Sequence, residues 1–171
     1  MKALYENGMQ LIPTVECLIL HAGKVLLMKR SETSKKFPGY WIGPGGKVDE
    51  DEDYLSAAIR EVREETGVEV GQENIKLKVV AIGQHLDRKE TYIVLYFLIT
   101  LNDYQDTKNS EEGKVSWIPI DEALKMNKIF PPFRFYLDHV LSDKPGILYT
   151  NVQLENLEIV NVLSKRTDND N

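Results

Sequence analysis

Residues 46–68 read GKVDEDEDYLSAAIREVREETGV, and within them Glu61, Glu64 and Glu65 stand at i, i+3 and i+4. That spacing brings side chains together on one helical face, where like charges destabilise an isolated helix. Three such carboxylates belong either to a solvated face or to a site that holds something positive. On a helix advancing about 100° per residue they fall within an arc of roughly 100°. Leu55, Ala58, Ile59, Val62 and Thr66 form an apolar stripe on the adjacent arc, which predicts a helix from Asp53 to Thr66. Asp53 is its expected N-cap and Gly67 its C-cap glycine. Arg60 and Arg63 are expected round the far side, with Arg60 only in loose reach of Glu64.

Outward from this helix, KKFPGYWIGPGGK (residues 35–47) is too rich in Pro and Gly for regular structure over most of its length. TVECLIL and KVLLMKR, separated by HAG, predict a hairpin turning at Gly23. IKLKVVAIGQHL and TYIVLYFLITL, joined by DRKE, predict a second. NDYQDTKNSEEGK is a polar loop, followed by a short strand at VSWIPI and a short helix at DEALKM. PPFRFYLDHVL reads as a helix with Pro131 or Pro132 at its start. GILYTNVQL and LEIVNVL form a third expected hairpin, joined by Glu155-Asn156. The expected fold class is mixed α+β, sheet hairpins with a few helices packed on them.

The chain has 171 residues, 42% hydrophobic and 28% charged, the balance of a globular chain able to bury a sizeable core. One domain over residues 1–171 is expected, with a frayed tail at 164–171. The net charge of −6 disfavours stable nucleic-acid binding, which depends on cations neutralising phosphates. A nucleotide remains admissible as a ligand, because a divalent metal can supply positive charge locally. The single cysteine, Cys17, rules out an internal disulfide, and His21, His85 and His139 show no metal-type spacing. LIPTVECLIL is interrupted by Pro13 and Glu16, so no signal peptide or membrane span is expected, and a cytoplasmic location is. The oligomeric state is left open.

The carboxylate cluster suits Mg²⁺ or Mn²⁺, which prefer oxygen ligands and are often shared between one or two carboxylates and substrate phosphates. Upstream, Gly43, Gly45 and Gly46 let the backbone approach a ligand and offer a carbonyl to metal. The glycines lack the G-x-x-x-x-G-K-[ST] spacing, so a P-loop is rejected. Arg30, Lys35 and Lys36 lie near the glycine stretch in sequence and are candidates to meet phosphates.

As a whole, residues 46–68 fit G-x5-E-x7-R-E-U-x-E-E-x-G-U, U being apolar, through Gly46, Glu52, Arg60, Glu61, Val62, Glu64, Glu65, Gly67 and Val68. A chance match is on the order of one in 10⁹ from average residue usage. The stretch resembles the Nudix box, with no departure at a fixed position. The resemblance implies the Nudix fold, a mixed β-sheet sandwiched between α-helices (α/β/α), with the box as loop–helix–loop. It implies an enzyme that hydrolyses a nucleoside diphosphate linked to another group, with Mg²⁺ or Mn²⁺ and a water nucleophile. Carried over, Glu61, Glu64 and Glu65 are metal ligands, one of them a possible base, and Gly45 or Gly46 lends a carbonyl. Glu52 helps with metal or pairs with Arg60, and Glu112, in the loop before VSWIPI, is a further ligand or base.

Trp117 to Pro119, FPPFRFYLDHVL and the terminal hairpin resemble the MutT-like branch, which cleaves oxidised purine nucleoside triphosphates to monophosphate and pyrophosphate. Some members carry an Asp-Asp pair that reads the purine. Here Pro132-Phe133 stands at the corresponding positions, which leaves Phe133 or Phe135 to stack on a base. Alternative substrates are ADP-ribose, a sugar nucleotide or an RNA 5′ end. A nucleotide sensor without turnover is the alternative from another class.

Overall fold

The structure, a computed structural model, describes residues 3–4, 10–142 and 145–167. The first hairpin forms where HAG predicts it. β1 (Ala3–Leu4) pairs with the start of β2 (Gln10–His21), which turns into β3 (Lys24–Arg30). Ala22 and Gly23 make the turn at φ of 46° and 75°. Two consecutive positive φ values mark a turn whose twist matches that of its flanking strands.

β2 and β3 pair only over Ile19–His21 and Lys24–Leu26, then part. On the vacated edge of β3, Met28 and Lys29 pair with Ile42 and Trp41 of β4 (Trp41–Ile42), while β7 (Gly113–Pro119) pairs with β3 from Lys24 to Arg30. On the vacated edge of β2, the glycine stretch takes the place of a strand. Val15 N–H donates to the Gly46 carbonyl at 2.9 Å, and Cys17 N–H to the Pro44 carbonyl at 2.8 Å. This fork seats the loop that precedes the acidic helix.

β5 (Ile75–His85), β6 (Glu90–Thr100), β8 (Leu148–Glu155) and β9 (Glu158–Arg166) complete one mixed sheet of order β4-β3-β2-β6-β5-β8-β9, with β1 on β2 and β7 on β3. The β2–β6 and β5–β8 pairs are parallel. Side chains alternate across each strand. Val15, Cys17 and Ile19 of β2 pack with Ala57, Ala58 and Val62 of α1 (Tyr54–Thr66). Leu18, between them, packs on the other face with Phe133, Tyr136 and Leu137 of α3 (Pro131–Leu141). Helices therefore cover both faces, as the α/β/α expectation requires.

Several details differ from the sequence expectations. DEALKM yields only α2 (Ile120–Ala123), because the bonds of Lys125 and Met126 tighten to the third residue back and close the helix as a turn. The third hairpin turns at Asn156 and Leu157, φ 50° and 67°, one residue later than expected, because Glu155 pairs with Glu158. Ser164 to Arg166 are not frayed: they pair with Thr150 to Leu148, and Thr150 Oγ1 lies 3.1 Å from Ser164 Oγ. Thr167 N–H donates to the Ile147 carbonyl at 3.1 Å, and residues 168–171 of the expected frayed tail lie outside the described residues. No described helix is long and apolar enough to cross a membrane.

Candidate active site

The glycine loop is pressed against β2 and α1. A Cβ on Gly45 would lie 2.2 Å from the Val15 carbonyl oxygen, and one on Gly46 2.3 Å from Glu61 Oε1. Real Cβ atoms do not come so close: at Gly45 the obstacle is backbone, which excludes any side chain, whereas at Gly46 it is the Glu61 carboxylate, which would have to move aside. The loop also delivers backbone donors. Gly45 N–H donates to Glu65 Oε2 at 2.9 Å and Gly43 N–H to Glu16 Oε1 at 2.9 Å.

The acidic helix is built as its sequence predicts at both ends. Asp53 accepts from the N–H groups of Leu55 and Ser56, and Gly67 closes the helix at φ 77°. Its buried face runs through Ala57, Ala58, Val62, Glu65 and Thr66, whereas Leu55 and Ile59 are only partly buried. The face is thus rotated towards the carboxylates. Glu65 is 4% exposed, and its Oε1 is buried without a hydrogen-bond partner. Glu61 is half-buried and Glu64 exposed.

Arg60 corrects the expectation that it lies away from the cluster. Its Nε and Nη2 grip Glu52 at 2.9 and 2.8 Å, and its Nη1 donates to Glu61 at 2.8 Å and to Glu64 at 3.4 Å. Nη2 also donates to the Lys47 carbonyl at 3.0 Å, which ties helix to loop. A guanidinium on a long stem reaches around the helix surface, which a projection of Cα positions does not show. Arg63 is exposed.

The β3–β7 pairing brings Arg30 and Glu112 to the same place, with Arg30 Nη1 3.4 Å from Glu112 Oε2. Arg30 is steadied by Nε donating to the Lys36 carbonyl at 3.0 Å. Arg30, Lys36, Gly45, Gly46, Glu61 and Glu112 all line one cavity of about 480 Å³. Glu52, Arg60, Glu64 and Glu65 are not among its lining residues. Lys36 Nζ is drawn to Glu90 at 2.9 Å and to the Tyr92 hydroxyl, and burial, which pulls its ammonium pKa down, is outweighed by these bonds.

Three expected substrate contacts are not in the cavity lining. Lys35 is exposed on the turn. Phe133 is 1% exposed, because Phe133, Tyr136, Leu137 and Val140 form the stripe of α3 that faces the core. Phe135 falls on the outer side, 40% exposed and edge-on to Tyr136. The aromatic end of the cavity is made instead by Phe37, His85, Tyr92 and Phe130. Phe37 and Phe130 have ring centroids 4.2 Å apart, and His85 lies parallel to Phe130 at 6.3 Å. Phe130 is fixed by backbone bonds between the 128–130 segment and Trp41, at 2.8 and 3.1 Å. Glu16 also lines the cavity and was not singled out as a site residue from the sequence. Its signal was present: a carboxylate inside the apolar alternation TVECLIL.

Burial pushes the Glu65 carboxyl up to about 8, with Glu112 and Glu61 adding and the Gly45 N–H opposing. Glu61 is raised by burial first, against Arg60, with Glu64 and Glu112 adding. Glu16 is raised well above the carboxylate range by burial, with Glu65 adding. Among the described residues no three His, Cys, Asp or Glu side chains converge closely enough to coordinate an ion as they stand. The donor set nevertheless fits a divalent cation. Glu65 keeps an unpartnered buried oxygen, and Glu61, Glu65 and Glu112 charge one another without a cation to relieve all three. Glu61 and Glu64 lean on Arg60, so joining an ion requires them to turn from it.

Residues 11–138 match the NUDIX domain. The chain belongs to the Nudix family. It is 28% identical over 109 residues to the uncharacterized Nudix hydrolase YvcI of Bacillus subtilis (strain 168), covering 62% of this chain and 65% of that one. It is 33% identical over 103 residues to diphosphoinositol polyphosphate phosphohydrolase 2 of Mus musculus, covering 58% and 54%. This Nudix chain therefore spans between half and two thirds of the length of these curated relatives. The fold resembles that of a MutT protein from Bacillus halodurans, with a TM-score of 0.75 and 24% identity over 90% of this chain and 97% of that one.

Proposed function

We propose that this Nudix protein hydrolyses a phosphoanhydride bond of a nucleotide with the help of Mg²⁺ or Mn²⁺, and that its substrate is a nucleoside triphosphate cleaved to monophosphate and pyrophosphate. The observation that carries this is Glu65: a buried carboxylate with one unpartnered oxygen, bonded to Gly45 of the glycine loop, which with Glu61 and Glu112 lines a cavity whose other end is aromatic. Glu61, Glu64, Glu65 and Glu112 are the proposed ligands. Gly45 is the better carbonyl donor, since the Gly46 carbonyl already accepts from Val15. When bound, the ion neutralises phosphate charge and acidifies water for attack.

The chain's own groups do the rest. Arg60 clamps Glu52 and keeps the glutamates of the helix aligned with the loop. One carboxylate beside the attacking water takes its proton. Arg30, held by Lys36 and Glu112, faces the cavity where phosphate oxygens would lie. The base is assigned to Phe37, Phe130 and His85, not to Phe133 or Phe135. An oxidised purine such as that of 8-oxo-dGTP is the proposed base. A soluble cytoplasmic location and a lack of stable nucleic-acid binding follow the same reading.

A panel of nucleoside triphosphates, ADP-ribose, sugar nucleotides and a diphosphoinositol polyphosphate, each with Mg²⁺ or Mn²⁺ and products separated by chromatography, tests the assignment. Pyrophosphate released from 8-oxo-dGTP supports it. Turnover confined to a diphosphate compound without a triphosphate overturns the substrate choice and keeps the chemistry. Tight nucleotide binding without any product in Mn²⁺ makes the protein a sensor.

A further inference from the structure

Gly83 lies in the interior of β5, where a glycine weakens a strand and calls for a reason. The backbone gives none. Its φ lies outside the left-handed region that favours glycine. Packing gives none either: a Cβ built there meets only the Tyr92 Cβ, at 4.0 Å, an ordinary contact. By contrast, Cβ atoms on Gly45 and Gly46 would strike their neighbours at 2.2 and 2.3 Å. Gly83 lines the cavity and is partly exposed, whereas Ala81 and His85, its neighbours on the same face, are buried. What a side chain at 83 would occupy is the floor of the cavity itself.

The surroundings define what that floor receives. Tyr92 stands opposite Gly83 in the β5–β6 register, and His85 follows two residues along. With Phe37 and Phe130 they make an aromatic wall, His85 to Tyr92 at 5.3 Å and His85 to Phe37 at 5.7 Å. Polar groups sit at its rim: the Tyr92 hydroxyl bonded to Lys36, and Glu90 bonded to both. A flat ring with a hydrogen-bonding edge fits such a wall, through stacking and a few placed polar groups.

We propose that Gly83 is a specificity-determining position, whose missing side chain leaves the space in which a nucleobase lies on the sheet floor. This rests on the nucleotide reading above and adds the residue that sets the size of base admitted. The strand tolerates a side chain here, and the ligand does not.

The test is calorimetric titration of guanosine 5′-monophosphate into wild type, Gly83→Ala and Gly83→Val, with thermal unfolding of each. Wild type is expected to bind, Gly83→Ala more weakly, and Gly83→Val at least about tenfold more weakly. Gly83→Ala should melt at least as high as wild type, by about 2 °C, as for a glycine replaced at a compatible site. Unchanged affinity in Gly83→Val overturns the proposal, as does a lowered melting temperature in Gly83→Ala or no binding by wild type. If binding responds as expected but no nucleoside triphosphate is hydrolysed with Mn²⁺, the hydrolase reading fails and the gate stands. If hydrolysis of GTP proceeds with the same kcat/KM in Gly83→Val, the gate fails and the hydrolase reading stands.

Discussion

At the scale of single residues, Glu65 carries the sharpest electrostatic tension. Its folded-state pKa, pushed up to about 8 from an ordinary 4.5, means that the folded, metal-free protein holds a proton that the unfolded chain releases. The stability tied to that proton is fully present below about 4.5 and is lost as pH rises through about 8. Metal-free wild type is therefore expected to melt lower at about pH 9 than at about pH 6, by more than Glu65→Gln does, in scans with chelator present. An ion competes with the same proton, so Mn²⁺ affinity should rise across that window, as titrations at several pH values would read. Arg60→Ala removes the clamp on Glu52, Glu61 and Glu64. It is expected to lower the melting temperature with chelator present, because the half-buried carboxylates lose their partner. An unchanged melting temperature in Arg60→Ala would contradict the role given to it.

At the scale of elements, the acidic helix and its glycine loop form one device. Gly67 holds φ 77°, and a Cβ there would also meet Lys108 Cγ at 3.0 Å. Gly67→Ala is expected to cost about 1–2 kcal/mol in denaturant unfolding. Gly45→Ala has no such escape, because backbone blocks its Cβ. It should displace the loop from β2 and abolish activity, with a large drop in melting temperature. The caps, the helix, the main hairpins and the carboxylate spacing on the helix were legible because each depends on residues close in sequence. The fork between β2 and β3 was not, since it depends on β4, β7 and the glycine loop competing for edges contributed by distant segments. The same limit hid which aromatics line the cavity. Phe133 and Phe130 are three residues apart, and which one meets the cavity is decided by backbone bonds to Trp41. Glu16 was visible in its strand, but its partner, the Gly43 N–H, comes from a segment 27 residues away in sequence.

At the scale of the whole molecule, a chain of net charge −6 places an acidic end and an aromatic end in one cavity, assembled from β2, β3, β4, β5, β6, β8, α1, α3 and the loops around them. Its cationic contribution to a phosphate ligand is small beside its carboxylates, so an ion should couple ligand to fold. Ligand that binds only the folded state stabilises by about 2.7 kcal/mol at a hundredfold excess over Kd. Mn²⁺ with a non-hydrolysed nucleotide is thus expected to raise the melting temperature by several degrees more than either alone, and chelator should reverse it. The most direct measurement is Mn²⁺-dependent release of pyrophosphate and nucleoside monophosphate from 8-oxo-dGTP by wild type and Glu65→Gln, resolved by chromatography. The expected result is both products from wild type, lost with chelator, and a rate about 10²–10³-fold lower in Glu65→Gln. Equal rates in the two proteins, or release that survives chelation, would contradict the account.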